Sequence, residues 1–493
     1  MINPKVKKYY KSVTSPLGIL AIATYLKTKG YNVKIIDACL RRFNYRDVIA
    51  DYKPDVVGIS LMSPKSITDA MKISEIARSC NLPVIWGGAL ASLIPKIILE
   101  ENMGDYVVIG EGEVTFDELL CCLRKGTEPE EVKGLAYKSG GEVRVNNDRA
   151  FADLKDFPVL DWSLVNPSDY FQSMLMAEKM LYLYSGKGCP GRCTFCFNRD
   201  YNKCVYRKRP MEYCVEEIKR LVTVDGADGI HFADELWGRN KEEINDNCLK
   251  LRGSGVEFFW GCNLRIGICD SDDFRTMYEA GCRWIFFGVE SGSEVMQRKI
   301  KKGIRLDRVE ETIKSCSAAG IVPITSFIVG FPGETREDIK KTVDLAEKIP
   351  MAMYDFNFFF PLPGTEMAEE LVEQGKLKYP KTLKAFSKFI QTEKLQFNFS
   401  NIPKKEIKVI RAYFMWSSLT KKVTLSGSKP KGNSFFNKAV KDAFKGLKGL
   451  GIKDSILLFI YDAWIFADIL SSLLFYPGTR KKYGLTKRKQ IRY

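Results

Sequence analysis

The first 125 residues alternate short apolar runs with amphipathic segments. Four apolar runs predict β-strands, at 31–38, 55–61, 83–89 and 106–112. Two amphipathic segments between them, 66–80 and 92–101, predict helices. Nearly continuous apolar strands separated by helices are typical of a doubly wound parallel sheet that is covered on both faces. The pattern therefore predicts an α/β, Rossmann-like domain over residues 1–125.

A second α/β series follows a Pro-bearing linker (126–180) that contains a short hairpin pattern, "GLAYKSGGEVRVN". Its apolar runs predict strands at 181–186, 229–235, 256–263, 284–291, 323–331 and 354–362. Six β/α units of this length predict a partial (β/α)6 barrel of TIM type over residues 181–378, with its chemistry at the carboxyl ends of the strands. Residues 379–493 read as a helical, Lys-rich region that caps the barrel or contacts a membrane.

One apolar stretch in this last region, residues 455–477, is long enough to suggest a membrane segment. Asp462 and Asp468 oppose spanning, because each aspartate costs about 2.5–3.5 kcal/mol near the centre of a bilayer. We therefore favour a helix packed on the barrel or on a partner, while basic flanks leave peripheral membrane contact open. The predicted location is cytoplasmic, with membrane association as the open alternative.

Composition narrows the chemistry. The chain has 14 dispersed cysteines and no export signal, which favours reduced thiols in the cytoplasm, where thiols serve metals or catalysis more often than disulfides. Its single histidine, His231, argues against most zinc sites and against triads based on histidine. The formal charge of +16 is compatible with nucleic acid, an anionic membrane, anionic ligands or simply solvated faces.

Three cysteines stand apart, because Cys189, Cys193 and Cys196 form C-x3-C-x2-C on one loop after the first strand of the second series. A structural zinc ion needs four closed ligands, and no histidine lies near this loop. Three thiolates suit a [4Fe–4S] cluster in which one iron lacks a protein ligand. The spacing therefore predicts such a cluster, with its fourth position left for a small molecule.

This loop, with an aromatic residue before its last cysteine, resembles the radical SAM superfamily. Later segments are similar to the same family: "HFADELW", "WGCNLR", "GVESG", "FIVGFPGET" and "PLPGTEM". The resemblance implies that S-adenosylmethionine binds the open iron and meets an acid at its amine, an arginine at its carboxylate and an acid at its ribose. The residues carried over by position are Phe195, Asp234 or Glu235, Arg265, Glu290, Ser291 and Gly330.

The N-terminal half sharpens this resemblance. "KPDVVGISLMS", "WGGALAS" and "DYVVIGEGEVTFDELL" resemble the cobalamin-binding domain that precedes the barrel in one radical SAM branch. The resemblance implies a groove for cobalamin lined by Ser60, Leu61, Met62, Ser63, Gly87, Gly88, Gly110, Glu111 and Gly112. The half lacks D-x-H-x-x-G and any histidine, so the branch implies base-off cobalamin without a protein ligand below cobalt.

By this resemblance the chain is a cobalamin-dependent radical SAM enzyme. The leading hypothesis is a methyltransferase that uses a 5′-deoxyadenosyl radical and methylcobalamin to methylate an unactivated carbon, or phosphorus, of a small metabolite or peptide. A reductant such as flavodoxin or ferredoxin would supply electrons. Radical cyclisation or ring rearrangement with the same cofactors is the alternative, and an RNA-modifying or RNA-binding protein is less favoured, because no RNA-binding module is recognisable.

Overall fold

The structure, a computed structural model, describes residues 1–6, 13–349, 353–389, 395–420 and 483, with the side chains of 416–420 excepted. The apolar stretch at 455–477 lies outside these residues. Within the described part of the chain, no helix combines the length and apolar character needed to cross a bilayer.

A seven-stranded sheet organises the N-terminal domain. Its strands are β1 (Ile2–Asn3), β2 (Ile36–Asp37), β3 (Val57–Ser60), β4 (Val84–Gly87), β5 (Tyr106–Val108), β6 (Leu135–Ser139) and β7 (Glu142–Val145). Its helices are α1 (Leu17–Thr28), α2 (Tyr45–Tyr52), α3 (Ile67–Ser79), α4 (Ala89–Leu93), α5 (Pro95–Glu100) and α6 (Glu113–Lys125). The strand order is β2-β1-β3-β4-β5-β6-β7, and β1 to β5 are parallel. This confirms the predicted doubly wound α/β class.

One element differs from the sequence-based expectation. The hairpin β6–β7, which the pattern assigned to a linker, extends the N-terminal sheet as its last two, antiparallel strands. The cause is local: the side chains of Leu135 and Ala136 are buried in the N-terminal domain. The sequence could not show that this short apolar run faces the preceding strand.

A second seven-stranded sheet forms the barrel domain. Its strands are β8 (Gln172–Met174), β9 (Ala177–Leu183), β12 (Gly229–Phe232), β13 (Phe259–Leu264), β14 (Cys282–Glu290), β15 (Val322–Val329) and β16 (Met353–Phe358). Two further strands, β10 (Gly186–Lys187) and β11 (Arg207–Lys208), form a separate two-stranded ribbon. Six strands, β9 and β12 to β16, run parallel in sequential order, with β8 antiparallel at one edge. The predicted partial barrel of six β/α units is confirmed.

Helices cover the outer face of this sheet, and further helices follow it. They are α7 (Asn198–Tyr201), α8 (Met211–Thr223), α9 (Lys241–Arg252), α10 (Ser271–Glu279), α11 (Glu294–Lys299), α12 (Asp307–Ala318), α13 (Arg336–Lys348), α14 (Glu366–Glu373), α15 (Leu383–Phe386) and α16 (Lys404–Thr420). Capping boxes start α10 at Asp270 and α13 at Thr335, and they satisfy N–H groups that the first helical turn leaves free.

The hydrophobic cores of the two domains meet. Phe331, Phe359 and Met367 of the barrel domain belong to the same buried cluster as Ile59 and Leu90 of the N-terminal domain. Shared burial of this kind fixes the two sheets relative to one another, because separating them would expose apolar surface to water. The carboxyl ends of both sets of parallel strands can therefore contribute to one site.

Candidate active site

Glycines shape the cysteine loop. A Cβ atom on Gly191 would lie 3.3 Å from the Sγ of Cys189 and 3.8 Å from the Sγ of Cys193, so these two sulfurs flank the same backbone turn. Gly188 has φ +84°, and a Cβ there would lie 2.0 Å from the carbonyl oxygen of Val205. Only glycine fits that close backbone approach, which fixes the start of the loop.

The three thiols of this loop are half-buried. Burial raises the pKa of Cys193, and it raises the pKa of Cys196 to about 11, so both are protonated until a metal displaces the proton. A cubane takes each thiolate on a different iron, so the donor set fits a [4Fe–4S] cluster better than a single ion.

Two cations lie beside the loop. Arg265 donates through Nη2 to the carbonyl oxygens of Lys302, at 2.7 Å, and Gly303, at 2.6 Å, and its Nη1 lies 3.9 Å from the Cβ position of Gly191. Lys302 donates to Oε1 of Glu290 at 2.7 Å. Burial alone would lower the pKa of Lys302, but Glu290 outweighs burial and raises it. Lys302 was missed by the sequence analysis, although the basic run "KIKKG" after the fourth-strand motif was a usable signal.

Glu290 ends β14 in an uncommon conformation. Its φ is +66°, in the left-handed region that non-glycine residues rarely adopt. A Cβ on Gly288 would lie 2.4 Å from Oε1 of Glu290 and 2.5 Å from Nζ of Lys302, so that glycine leaves the space for the ion pair. The carboxylate that was predicted to meet the ribose therefore sits at the strand end, held against a lysine.

The structure separates the two acids that the sequence left as alternatives. Asp234 is buried and accepts hydrogen bonds from the backbone N–H and the hydroxyl of Ser185, at 2.7 and 2.6 Å. Burial raises the pKa of Asp234 to about 7. Glu235 is exposed, accepts from the backbone N–H of Gly188 at 2.9 Å, and lines a cavity between the domains. Glu235 is thus the acid that remains accessible, and Asp234 supports the loop.

Three other residues that were predicted to contact a cofactor make contacts within the protein. Ser291 is fully buried, and its hydroxyl lies 3.2 Å from that of Thr342. The ring of Phe195 packs on Phe331, with centroids 5.6 Å apart. Gly330 has φ +91° and donates its N–H to Glu334 at 2.6 Å. These contacts explain the local structure, and any contact of these residues with a cofactor stays a prediction.

A cavity of about 300 Å³ lies between the carboxyl ends of the two sheets. Seven residues of the predicted cobalamin groove line this cavity: Ser60, Met62, Gly87, Gly88, Gly110, Glu111 and Gly112. From the barrel domain it is lined by Tyr184, Gly186, Lys187, Tyr201, Asn202, Ala233 and Glu235. An adjoining cavity of about 180 Å³ shares Gly110, Glu111, Glu113 and Tyr201 with it. The glycine-ended strands therefore share this space with Lys187 and Tyr201, which flank the cysteine loop in sequence.

Two residues of the predicted groove do not line this cavity. Leu61 is fully buried, and its backbone N–H donates to the carbonyl oxygen of Gly87. Side chains alternate along an extended segment, and the Leu61 side chain points into the core, so a contact of Leu61 with cobalamin stays a prediction. Ser63 is half-buried outside the lining, and its carbonyl oxygen accepts from the hydroxyl of Ser66.

Close backbone packing builds the groove wall. Gly88 has φ +98°, and a Cβ there would lie 2.9 Å from the carbonyl oxygen of Leu61. Gly112 stands where a Cβ would come within 2.6 Å of the Ile22 side chain. A flat ligand that approaches the strand ends needs such a shelf without side chains, so the shelf fits a corrin edge or a nucleotide tail. The single histidine, His231, lies on a barrel strand.

A half-buried charge cluster joins the two domains at the cavity. Nζ of Lys187 lies 3.2 Å from Glu111 and 3.1 Å from Glu113, and Arg207 forms a two-pronged pair with Glu111 at 2.6 and 2.9 Å. Burial would raise the pKa of Glu111, but the two cations outweigh burial and lower it. The hydroxyl of Tyr201 donates to the carbonyl oxygen of Gly110 at 3.0 Å. Lys187 and Arg207 were missed by the sequence analysis.

Comparisons with known proteins agree with this geometry. The radical SAM superfamily model matches residues 183–346, and the B12 binding domain model matches residues 6–120. An uncharacterised methyltransferase of Pyrococcus horikoshii is 29% identical over 379 residues, which are 76% of this chain and 82% of that protein. An anaerobic magnesium-protoporphyrin IX monomethyl ester cyclase of Cereibacter sphaeroides is 27% identical over 383 residues, 73% of this chain and 60% of that one.

A solved structure shares the whole architecture. TsrM from Kitasatospora setae, a radical S-adenosylmethionine methyltransferase with cobalamin and a [4Fe-4S] cluster bound, matches with a TM-score of 0.66. The match has 16% sequence identity and covers 96% of this chain and 98% of that one, so it shows the fold.

The fold and the site together define a radical SAM enzyme of two α/β domains. More narrowly, the chain belongs to the radical SAM enzymes that carry a B12-binding domain before the barrel. The cofactors of this enzyme are a [4Fe–4S] cluster, S-adenosylmethionine and cobalamin. The residues that hold each of them stay predictions. The base-off state of the cobalamin stays a prediction.

Proposed function

We propose that this enzyme transfers a methyl group from S-adenosylmethionine, through cobalamin, to an unactivated carbon or a phosphorus atom of a small metabolite or peptide. One observation carries the proposal: the cavity under the glycine shelf of the N-terminal sheet is also lined by Glu235 of the barrel and by Lys187 and Tyr201, which flank the cysteine loop in sequence. Methyl transfer by this route needs both cofactors within reach of one substrate, and a shared cavity supports that arrangement.

The protein's part in this reaction is to bind and orient the cofactors and the substrate and to shield them from water. Cys189, Cys193 and Cys196 would hold the cluster. Glu235 offers a carboxylate for the amine of S-adenosylmethionine, and Arg265 a guanidinium for its carboxylate. When bound, the cluster and S-adenosylmethionine supply a carbon radical and cobalamin supplies the methyl group.

The N-terminal wall favours a large, flat ligand. Met62 exposes 63% of its surface at the end of β3, next to the shelf made by Gly87 and Gly88. Exposed apolar side chains beside bare backbone suit the edge and face of a macrocycle. Glu111 and Lys187, which face each other at the domain boundary, would fix this wall relative to the cysteine loop.

Radical cyclisation is the second candidate. It is favoured by the similarity to the Cereibacter sphaeroides cyclase, which spans 73% of this chain. Both reactions use the same cofactors, so the site residues described above do not distinguish them. The distinction lies in the fate of the methyl group.

Labelled S-adenosylmethionine tests the proposal without knowledge of the substrate. Protein reconstituted anaerobically with iron, sulfide and cobalamin is reduced and given S-adenosylmethionine with a deuterated methyl group. We expect deuterated methyl on the extracted corrinoid together with S-adenosylhomocysteine, measured by mass spectrometry. Deoxyadenosine without either product would overturn methyl transfer and favour cyclisation.

A further inference from the structure

Four residues form one row across the inner face of the barrel sheet. The strand registers place Tyr182 of β9 beside His231 of β12, His231 beside Gly261 of β13, and Gly261 beside Trp284 of β14. Their strand neighbours Ile230, Trp260 and Ile285 pack with the helices on the outer face. The row therefore faces away from the helices, into the barrel.

The glycine in this row makes room for an indole. A Cβ on Gly261 would lie 2.0 Å from Nε1 of Trp284, a distance that no real side chain tolerates. The Trp284 ring occupies this space and reaches across β13, where its Nε1–H donates to Nδ1 of His231 at 3.0 Å. Trp284 is fully buried, so this donor has a fixed position.

That hydrogen bond sets the tautomer of the imidazole. Because Nδ1 accepts a hydrogen bond from the indole N–H of Trp284, Nδ1 carries no proton and the proton of the neutral imidazole is on Nε2. Burial lowers the pKa of His231 to about 4, and no charged side chain among the described residues contributes to this shift. His231 is therefore an uncharged N–H donor at neutral pH.

This donor has no partner in the described part of the protein. The His231 side chain is surrounded by rings: Tyr182 at 5.3 Å and Phe286 at 5.5 Å between centroids, both edge-on, and Trp284 stacked at 6.4 Å. His231 is only 7% exposed, and its one hydrogen bond within the described residues is the one from Trp284. The small exposed part of the His231 side chain leaves this N–H free to meet an acceptor that enters the barrel.

The row lies below the site described above, on the same strand face. Trp284, Phe286 and Gly288 alternate along the inner side of β14, and the Glu290 carboxylate folds back to the Cβ position of Gly288. A molecule that enters the barrel past Glu290 and Lys302 would meet Phe286 and then His231. Tyr182, Phe286 and the Met180–Trp284–Ile324 cluster make the floor apolar.

We infer that this floor recognises the substrate: His231 donates its Nε2 proton to a neutral oxygen acceptor, such as a carbonyl, on a substrate whose body is aromatic or apolar. The inference rests on the proposed function for the location of the substrate. His231 acts here as a positioning residue, held by Trp284, and takes no part in bond making. An uncharged donor among rings selects against carboxylates and phosphates, because their burial without a cation is costly.

The single histidine makes the first test specific. The full-length protein is labelled with 15N-histidine and purified anaerobically with its cluster in the oxidised, diamagnetic state. We expect one imidazole whose Nε2 is protonated and whose Nδ1 is not, at pH 7. A cationic imidazole, or the opposite tautomer, would overturn the inference, and neither result depends on whether the enzyme transfers methyl groups.

Matched tryptophan variants test the link to Trp284. Trp284→Phe removes the indole donor and should give a mixture of tautomers at His231. Trp237→Phe makes the same change at a buried tryptophan whose Nε1 has no partner within the described residues, and should leave the tautomer unchanged. An unchanged tautomer in Trp284→Phe would contradict the assigned role.

Small probes test recognition. Acetophenone has a neutral carbonyl on an aromatic ring, ethylbenzene lacks the acceptor, and benzoate carries a charge. We expect acetophenone to shift the Nε2 resonance, and its affinity to fall about 5- to 10-fold in His231→Phe and to recover in part in His231→Gln. If benzoate binds more tightly than acetophenone, or if no probe moves the resonance, the inference fails.

Discussion

Lys187 of the barrel domain and Glu113 of the N-terminal domain form an ion pair of 3.1 Å. Lys187 precedes Cys189, the first cysteine of the loop, by two residues. Glu113 is buried, with 4% of its surface exposed, and Glu111 is the second acid on the same lysine. The position of the cysteine loop relative to the glycine shelf is thus fixed by charges as well as by the shared core.

Lys187→Met should loosen this contact. Removing one partner of a buried pair leaves the other charge without compensation, at a cost of about 3 kcal/mol. We expect a corresponding loss in the free energy of unfolding, measured by urea denaturation, and a lower cobalamin content after reconstitution. Lys203→Met is the control, because its pair with Asp148 is exposed and should contribute less than about 1 kcal/mol. Equal losses in the two variants would contradict the role of Lys187.

Asp234→Ala should lower the stability of the protein, whereas Glu235→Gln should lower its affinity for S-adenosylmethionine. The first change leaves the backbone N–H and hydroxyl of Ser185 without their acceptor, which costs about 2 kcal/mol of stability. The second keeps an acceptor for Gly188 but removes a charge from the cavity, and should weaken binding of S-adenosylmethionine about 10-fold. Calorimetric titration and denaturant unfolding measure the two quantities. Loss of affinity in Asp234→Ala with no loss of stability would reverse our assignment.

Cys193→Ala should abolish the cluster. We expect the iron and sulfide content of the reconstituted protein to fall close to zero together with the visible absorbance, because two thiolates do not hold a cubane. Cys80→Ala, at a half-buried cysteine remote from the loop in sequence, should retain the full content. Retention of four irons in Cys193→Ala would show that the loop does not bind the cluster.

Glu334 should make stability depend on pH. Burial raises its pKa to about 8, although the N–H groups of Gly330 and Phe331 lower it in part. An unfolded chain releases this proton near the ordinary value of 4.5, so the folded state holds a proton that the unfolded state loses. The free energy of unfolding should therefore fall as pH rises from about 4.5 to about 8, by roughly 4 kcal/mol.

Glu334→Gln tests this dependence, because glutamine does not ionise. Urea unfolding at about pH 5 and about pH 8 should show a smaller decline in the variant than in the parent protein. Glu373→Gln, at an exposed position near the end of α14, should leave the decline unchanged. An identical decline in Glu334→Gln would mean that other groups cause it.

The sequence predicted the class of fold and the cysteine loop because both depend on local patterns. Apolar runs of the barrel strands, such as the one that ends at Glu290, are long and regular, and C-x3-C-x2-C is a compact motif. The hairpin β6–β7 was misassigned because its pairing with β5 is a contact between elements. No periodicity along one segment encodes that contact.

Site residues were harder to predict where the direction of a side chain decides whether the residue lines the cavity or faces the core. Asp234 and Glu235 are adjacent, and only the structure shows that the first bonds to Ser185 while the second lines the cavity. Leu61 lies between two residues that face the groove and points the other way. Lys187 and Lys302 were missed because a lysine looks like a surface residue until its carboxylate partner is placed beside it.

The charged hairpin at the end of the N-terminal sheet has a consequence for solubility. β7 is an edge strand with exposed Glu142 and Arg144, and its open backbone groups could pair with a strand from another molecule. Charged side chains on such an edge discourage that addition, since docking would bury them. The charged side chains of β7 thus disfavour aggregation through this edge.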